Sequence, residues 1–347
     1  MIFLIYKFLR ESGINVAVIQ NRRFDLENRI DPVNLEKTMG TQLQTIKFKR
    51  PRVFKFAYQD FPSLELFSSD KSTISMVFVR RIPPRCVLKK LRNSDSKIIF
   101  CLHGIAVEKF RMTSFLIMSH QIIMRIQLRN LAHFLGNNIF AQCLTPHTVL
   151  FLRKAGGPDE NIFKIENEFE SDVDEIIPNN DEFKVLFIGR MQNLTKGIKF
   201  LKRVIKKVKK IEPYIEFVVI GSGPDLHILG GLSDHVKLLS NASDEVKADN
   251  LLHSNLAIIT SKLEPFPRVA MEFLGSGLPV VTTPSSGPSY IISKDKVFGR
   301  VSSFNAKSFS TEILSYYNEW KKDKAAYFEK RKEIALRNIE ILVSNNP

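Results

Sequence analysis

The sequence predicts an α/β protein of two domains, and three observations predict it. From residue 183 onward, short apolar runs alternate with segments of helical periodicity, the pattern of a parallel sheet covered on both faces. A noisier version of the same alternation fills the first half. Between them lies Glu166–Glu182, an acidic stretch containing Pro and Asn, which reads as a linker. With 347 residues, 44% of them apolar, the chain is long enough for two cores.

The elements of the second half follow in order. Phe183–Ile188 is an apolar run ending in Gly189, read as a buried strand. From Gly197 to Ile211, Ile198, Leu201, Val204, Ile205, Val208 and Ile211 recur at helical spacing, with Lys and Arg on the wet face and Pro213 as a stop. A second strand, Ile215–Ile220, runs into Gly221-Ser222-Gly223-Pro224, and Val236–Leu239 reads as a third. Helices around Asp244–His253 and Val269–Leu274 each precede a strand, Leu256–Thr260 and Pro279–Thr282. The charged segment from Ser308 to Leu342 reads as one long helix.

In the first half, Phe3–Glu11 reads as a helix and Ile14–Ile19 as a strand, with further strands at Ile74–Val79, Lys97–Leu102, Asn138–Leu144 and Asn161–Ile165. Thr145-Pro146 looks like a helix cap followed by proline at the first helical position, with the helix ending at Gly156-Gly157. The expected organisation is a domain over 1–165, the linker 166–182, a second domain over 183–320 and a terminal helix over 321–347.

Charge is unevenly spread. Residues 1–155 hold 25 Lys/Arg against 10 Asp/Glu, whereas residues 156–347 hold 26 of each. Either the surplus is a solvated surface or the first half faces an anionic partner such as a membrane surface or a lipid phosphate. No nucleic-acid-binding motif is present, so that partner class is not expected. Cys86, Cys101 and Cys143 are widely spaced and form no CxxC pair, which points to idle thiols in a reducing compartment. The apolar N-terminus is broken by Lys7 and Arg10 and lacks a cleavage site, so a cytoplasmic location is expected.

Ligands of open α/β sheets bind outside the carboxyl ends of the strands. Four unusual segments lie there: Gly189–Gly197, Gly221–Asp225, Ser261–Glu272 and Thr282–Pro288. Arg190 and Lys196 are either two exposed cations or a pair converging on a diphosphate beside the helix that starts at Gly197. Gly221 and Gly223 make a tight turn, and Leu226 stands where a dinucleotide fingerprint needs its third glycine. Glu264 lies in a loop past a strand, and Glu272 lies eight residues on, in the next helix. Between them Phe266, Pro267, Arg268 and Val269 form the helix start, where backbone N–H groups have no partner within the helix. Two carboxylates flanking such a start suit a ligand with sugar hydroxyls at both ends and phosphates between, since a carboxylate grips vicinal hydroxyls. Taken singly, each glutamate also reads as a solvated or capping residue.

In order and spacing over Phe183–Tyr290, these pieces resemble the retaining GT-B glycosyltransferases of group 1 type, whose members include glycogen and sucrose synthases and phosphatidylinositol mannosyltransferases. The matching pieces are Gly189-Arg190, Lys196-Gly197, the Gly221–Pro224 turn, and Thr260–Pro288 with its Glu264/Glu272 pair. The resemblance implies a GT-B fold, with two Rossmann-like domains facing across a cleft and a C-terminal helix crossing back to the first. It implies that Arg190 and Lys196 bind the donor diphosphate and that Gly189, Gly221 and Gly223 also belong to the donor site. Glu272 would bind the ribose, Glu264 the transferred sugar, and Phe266, Pro267, Arg268 and Val269 would present backbone groups. Leu102-His103-Gly104 resembles the family's His-Gly element, so His103 would face the reacting sugar. The catalytic set implied is His103, Arg190, Lys196 and Glu264.

Two departures stand out. The family's hinge reads Ile-Pro-Asn-Gly-Val-Asp, whereas this chain has Ile165-Glu166-Asn167-Glu168-Phe169-Glu170. The sequence also reads as beginning at the helix after the family's first strand and Gly-rich loop.

The expected activity is sugar transfer from a nucleotide-diphospho-sugar to an acceptor hydroxyl with retention of configuration. No metal or other cofactor is expected, because fixed cations and helix dipoles would stabilise the leaving diphosphate. Asp172-Val173-Asp174 lies in the acidic linker and reads as solvated charge. The acceptor is open, with a lipid-linked or membrane-surface one suggested by the basic half, and with it peripheral attachment to the inner membrane face. The alternative is a catalytically impaired nucleotide-sugar-binding or regulatory relative.

Overall fold

The computed structural model describes residues 19–21, 44–46, 74–78, 82–94, 97–105, 107–108, 115–166, 182–232 and 236–345. The expected helix at Phe3–Glu11, most of the strand at Ile14–Ile19 and residues 167–181 of the linker lie outside them.

The chain divides into two compact units. The first comprises Met1–Cys101, Gln127–Gln142 and Leu152–Ile162; the second comprises Leu102–Ile126, Cys143–Phe151 and Phe163–Pro347. Parts of the sequence's first half therefore belong to the unit that holds all of the second half.

In the first half, β1 (Ile19–Asn21) and β2 (Gln44–Ile46) form a parallel pair. A four-stranded sheet has the order β3 (Ile74–Phe78), β4 (Lys97–Cys101), β5 (Ile139–Cys143), β6 (Ile162–Lys164). Between these strands run α1 (Arg85–Arg92), α2 (Phe115–Phe134) and α3 (Pro146–Lys154). Pro146 opens α3, as its fixed φ allows. The sequence reading gave no sign of α1 or α2. Helix α2 has apolar residues almost all round, so it lacks the one-sided stripe that marks an amphipathic helix.

The second half builds a six-stranded sheet whose stated pairings are all parallel. Its elements run β7 (Lys184–Ile188), α4 (Asn193–Lys196), α5 (Ile198–Ile211), β8 (Glu216–Ile220), β9 (Val236–Leu239), α6 (Asp244–His253), β10 (Leu256–Ile259), α7 (Arg268–Gly275), β11 (Val280–Thr282), α8 (Ser286–Ile292) and β12 (Gly299–Val301). The strand order is β12-β11-β10-β7-β8-β9, so β7 and β10 lie at the centre. One apolar layer joins the buried face of α5 (Ile198, Leu201, Val204, Ile205, Val208) to β7 and β8. The opposite layer holds α7, with Ala270, Met271, Phe273 and Leu274, and also Leu144 from the sequence's first half.

The single helix expected over Ser308–Leu342 is two, α9 (Ala306–Lys322) and α10 (Lys324–Asn345). Asp323 breaks it with extended backbone (φ −153°, ψ 96°), and its carboxylate accepts from the Ala326 N–H at 2.9 Å. A short polar side chain that bonds its own downstream backbone favours a cap over helix continuation. Helix α10 packs on α7, on α9 and on the turn at Lys296–Phe298.

Candidate functional site

The four strand-end segments interlock through their backbones. The Met191 N–H donates to the Ser222 carbonyl at 2.9 Å, and the Asp225 N–H donates back to the Met191 carbonyl at 2.9 Å. The Asp225 carboxylate accepts from the Asn193 N–H at 2.7 Å, at the start of α4. Gly221, at φ 142°, crosses so close to the first segment that a Cβ there would lie 2.0 Å from the Gly189 carbonyl oxygen. Only glycine permits both that φ and that approach. Gly223 packs in the same way against the Met191 backbone.

Gly197 also requires glycine. It is left-handed (φ 71°, ψ 38°), and a Cβ would meet the Thr260 carbonyl oxygen at 2.3 Å. The same contact is reinforced by the Thr260 hydroxyl, which donates to the Lys196 carbonyl at 2.7 Å, and by the Lys262 N–H, which donates to the Thr195 carbonyl at 2.6 Å. The segment after β7 is thus fastened to those after β8 and β10.

Lys196 and Glu264 meet across this junction. Their side chains form an ion pair, 22% and 13% exposed respectively, and the Ser261 hydroxyl donates to the same carboxylate at 3.3 Å. Arg190 stands exposed on the turn after β7. Beside them, burial and then the neighbouring Arg203 and Lys199 push the Lys262 ammonium below its usual range, so positive charge is concentrated where α5 begins.

Phe266 and Pro267 are buried, and Phe266 packs in the layer beneath α7. Arg268 opens α7 exposed and Val269 is half-buried. Glu272, one turn further, is paired with the Lys247 ammonium of α6 at 2.6 Å. The sequence reading missed Lys247, because nothing local links α6 to α7.

His103 sits half-buried in the turn after β4, where the Ile105 N–H closes onto the Leu102 carbonyl at 3.3 Å. Five residues on, Glu108 was not foreseen at all. Its side chain is buried, and its carboxylate accepts from the Ser285 hydroxyl (2.8 Å), the Ser286 N–H (2.8 Å), the Ser286 hydroxyl (3.1 Å) and the Glu264 N–H (3.4 Å). Burial pushes Glu108 above the usual carboxylate range, and these hydrogen bonds pull it part of the way back.

Glu166, read as the first linker residue, closes a third cluster. It pairs with Lys164 at 2.6 Å and with Lys294, and accepts from the Tyr290 hydroxyl. Asp172-Val173-Asp174 lies outside the described residues. Cys101 and Cys143 are buried and their thiols are pushed up to about 12 by that burial, which leaves them unreactive.

Residues 168–333 match the family model for glycosyl transferases group 1. An uncharacterized glycosyltransferase of Methanocaldococcus jannaschii is 30% identical over 119 residues, covering 33% of this chain and 30% of that protein. Among solved structures, HepE of Anabaena in complex with UDP superposes with a TM-score of 0.64 at 16% identity, covering 90% of this chain and 86% of that one. TarM of S. aureus in complex with UDP gives 0.61 at 20% identity, over 81% and 56%. Sucrose-phosphate synthase of Thermosynechococcus elongatus gives 0.61 at 18%, over 78% and 69%. The chain therefore spans just over half the length of TarM and less than a third of the archaeal protein. These neighbours show a GT-B fold, and residues 168–333 resemble the glycosyl transferases group 1 family.

Proposed function

We propose that the protein transfers a sugar from a nucleotide-diphospho-sugar to an acceptor hydroxyl, with retention of anomeric configuration. The observation that carries this reading is the Lys196–Glu264 pair, held at the junction of the loops that end β7, β8 and β10. A lysine and a glutamate already in contact at such strand ends supply a cation for a diphosphate and an acceptor for sugar hydroxyls. UDP is the nucleotide we favour, since the HepE and TarM structures are complexes with it.

In this reading the diphosphate draws Lys196 away from Glu264, and Arg190 joins it. Glu264 is released to the sugar, and Glu272 takes the ribose. The acceptor hydroxyl attacks the anomeric carbon from the face the phosphate is leaving. The bond to the phosphate oxygen breaks with its electron pair, and that oxygen takes the hydroxyl proton. Lys196, Arg190 and the starts of α5 and α7 stabilise the growing negative charge, so no metal is required. Thermal unfolding with UDP, ADP and GDP tests the donor. At a hundred times its dissociation constant, UDP should add ~2.7 kcal/mol of stability. Absence of a shift with every nucleotide and nucleotide-sugar would refute the reading.

A second proposal concerns location. We propose peripheral attachment to an anionic membrane face, which would bring a lipid-linked acceptor to the enzyme. Helix α2 leaves Phe115, Leu116, Ile122, Ile123 and Ile126 exposed, and neither α1 nor α2 contains a carboxylate. The first compact unit, taken by itself, exposes the cations Arg85, Lys89, Lys90, Arg92 and Arg129, each worth about 1 kcal/mol near an anionic surface. No helix among the described residues is long and apolar enough to cross a membrane. Sedimentation with anionic vesicles should pull the protein down at low salt, and Ile122→Asp with Ile123→Asp should weaken this. Equal binding to neutral vesicles would overturn the proposal.

A further inference from the structure

Glu108 lies on no predicted motif, yet it is the most heavily engaged carboxylate near the site. It is 7% exposed and accepts four hydrogen bonds from three residues. Two of its donors, Ser285 and Ser286, open α8; the third, the Glu264 N–H, belongs to the residue that pairs with Lys196. The Glu264 carbonyl in turn accepts from the Gly287 N–H at 3.0 Å, so the Glu264 loop and the start of α8 form one unit around the carboxylate.

The other end of Glu108 is fixed as firmly. Its N–H donates to the Gln121 side chain at 3.0 Å, and its carbonyl accepts from the Arg125 guanidinium at 2.7 Å. Gln121 and Arg125 are one turn apart on α2. A continuous path of hydrogen bonds therefore runs from α2 through the segment that follows His103 to the backbone of Glu264. All of it lies within the second compact unit. A buried carboxyl group hydrogen-bonded at both its backbone and its side chain fixes geometry well, because little solvent competes for its donors.

We propose that Glu108 is a positioning residue for sugar transfer: it sets the Glu264 loop in register with the His103 segment, so that both face the transferred sugar. The proposal rests on the donor-pocket reading above. It separates Glu108 from the residues proposed to hold the nucleotide, since its hydrogen bonds run to Ser285, Ser286, Glu264, Gln121 and Arg125.

The test is Glu108→Gln, with Glu108→Asp beside it. Gln keeps the size but turns an amide N–H₂ toward donors, whereas Asp keeps the charge and falls short in reach. Turnover should fall at least about tenfold in Glu108→Gln, as expected for a misplaced reacting group, while UDP, which lacks the sugar, binds within about twofold of the original affinity. Glu108→Asp should recover part of the loss. Unchanged turnover, or turnover and UDP affinity falling by the same factor, would overturn the proposal. Hydrogen exchange at the Glu264 and Ser286 amides decides the clasp without any turnover. Faster exchange in Glu108→Gln supports it, and unchanged exchange overturns it. If the unsubstituted protein turns over no nucleotide-sugar, the function reading has failed and the exchange result still stands for the clasp.

Discussion

Replacing Lys196 by Met separates binding from chemistry at the site. Met keeps most of the stem and removes the ammonium. The backbone at this position stays fastened, because its N–H donates to the Gln192 carbonyl at 2.8 Å and its carbonyl accepts from Thr260 at 2.7 Å. The ammonium is paired with Glu264, so a diphosphate would gain a cation only as Glu264 loses one. The net loss of UDP affinity in Lys196→Met should therefore be about 1 kcal/mol, roughly fivefold. In the proposed transition state the leaving phosphate carries more charge while Glu264 is engaged by the sugar. A fixed charge-stabilising group in that position is worth about 3–4 kcal/mol, or ~10²–10³ in kcat. Nucleotide release under saturating donor gives kcat, and calorimetric titration with UDP gives Kd. The reasoning is refuted if turnover is unchanged, or if Kd rises by as much as kcat falls.

Two further outcomes follow from the paired carboxylates. Glu272→Ala removes the proposed ribose acceptor and leaves Lys247 without its partner, so UDP and UMP should both bind about tenfold or more weakly; unchanged titrations would assign Glu272 to the fold alone. Burial would raise Glu166, but Lys164, Lys294 and the Tyr290 hydroxyl hold it below the usual carboxylate range. A lowered folded pKa gives stability that is present above the unfolded value and lost as pH falls through the folded one. Below about pH 4.5 the melting temperature should therefore fall more steeply in the natural protein than in Glu166→Gln. Parallel curves for the two would contradict the assignment.

What the sequence revealed depended on whether the signal was local. Strands such as Lys184–Ile188 and Glu216–Ile220 were legible because an apolar run ends in glycine, and α5 because its buried residues keep a strict helical period. Glu264 and Glu272 stood out by spacing and by the glycines and prolines around them. Lys247 and Glu108 did not, since their partners lie on other elements and Glu108 reaches across 178 residues to Ser286. Helix α2 hid because it is apolar nearly all round, and the break at Asp323 hid inside a run of charges that reads as continuous helix.

Helix α8 connects these observations. It has only seven residues, too few to be stable without outside support, and ionic groups hold it from both sides. Glu108 takes its first N–H group and hydroxyls, and Glu166 takes Tyr290 and draws in Lys294 just past its end. Glu166 is thereby bonded to the same helix that holds the Glu264 loop through Gly287. A rigid element clamped at both ends transmits a shift at one end to the other, because packed elements move as units and do not bend by degrees. Glu166, which stands where the resembled hinge pattern has proline, is a carboxylate bonded to α8 and its end, and α8 in turn is bonded to the loop on which the proposed sugar-binding glutamate sits.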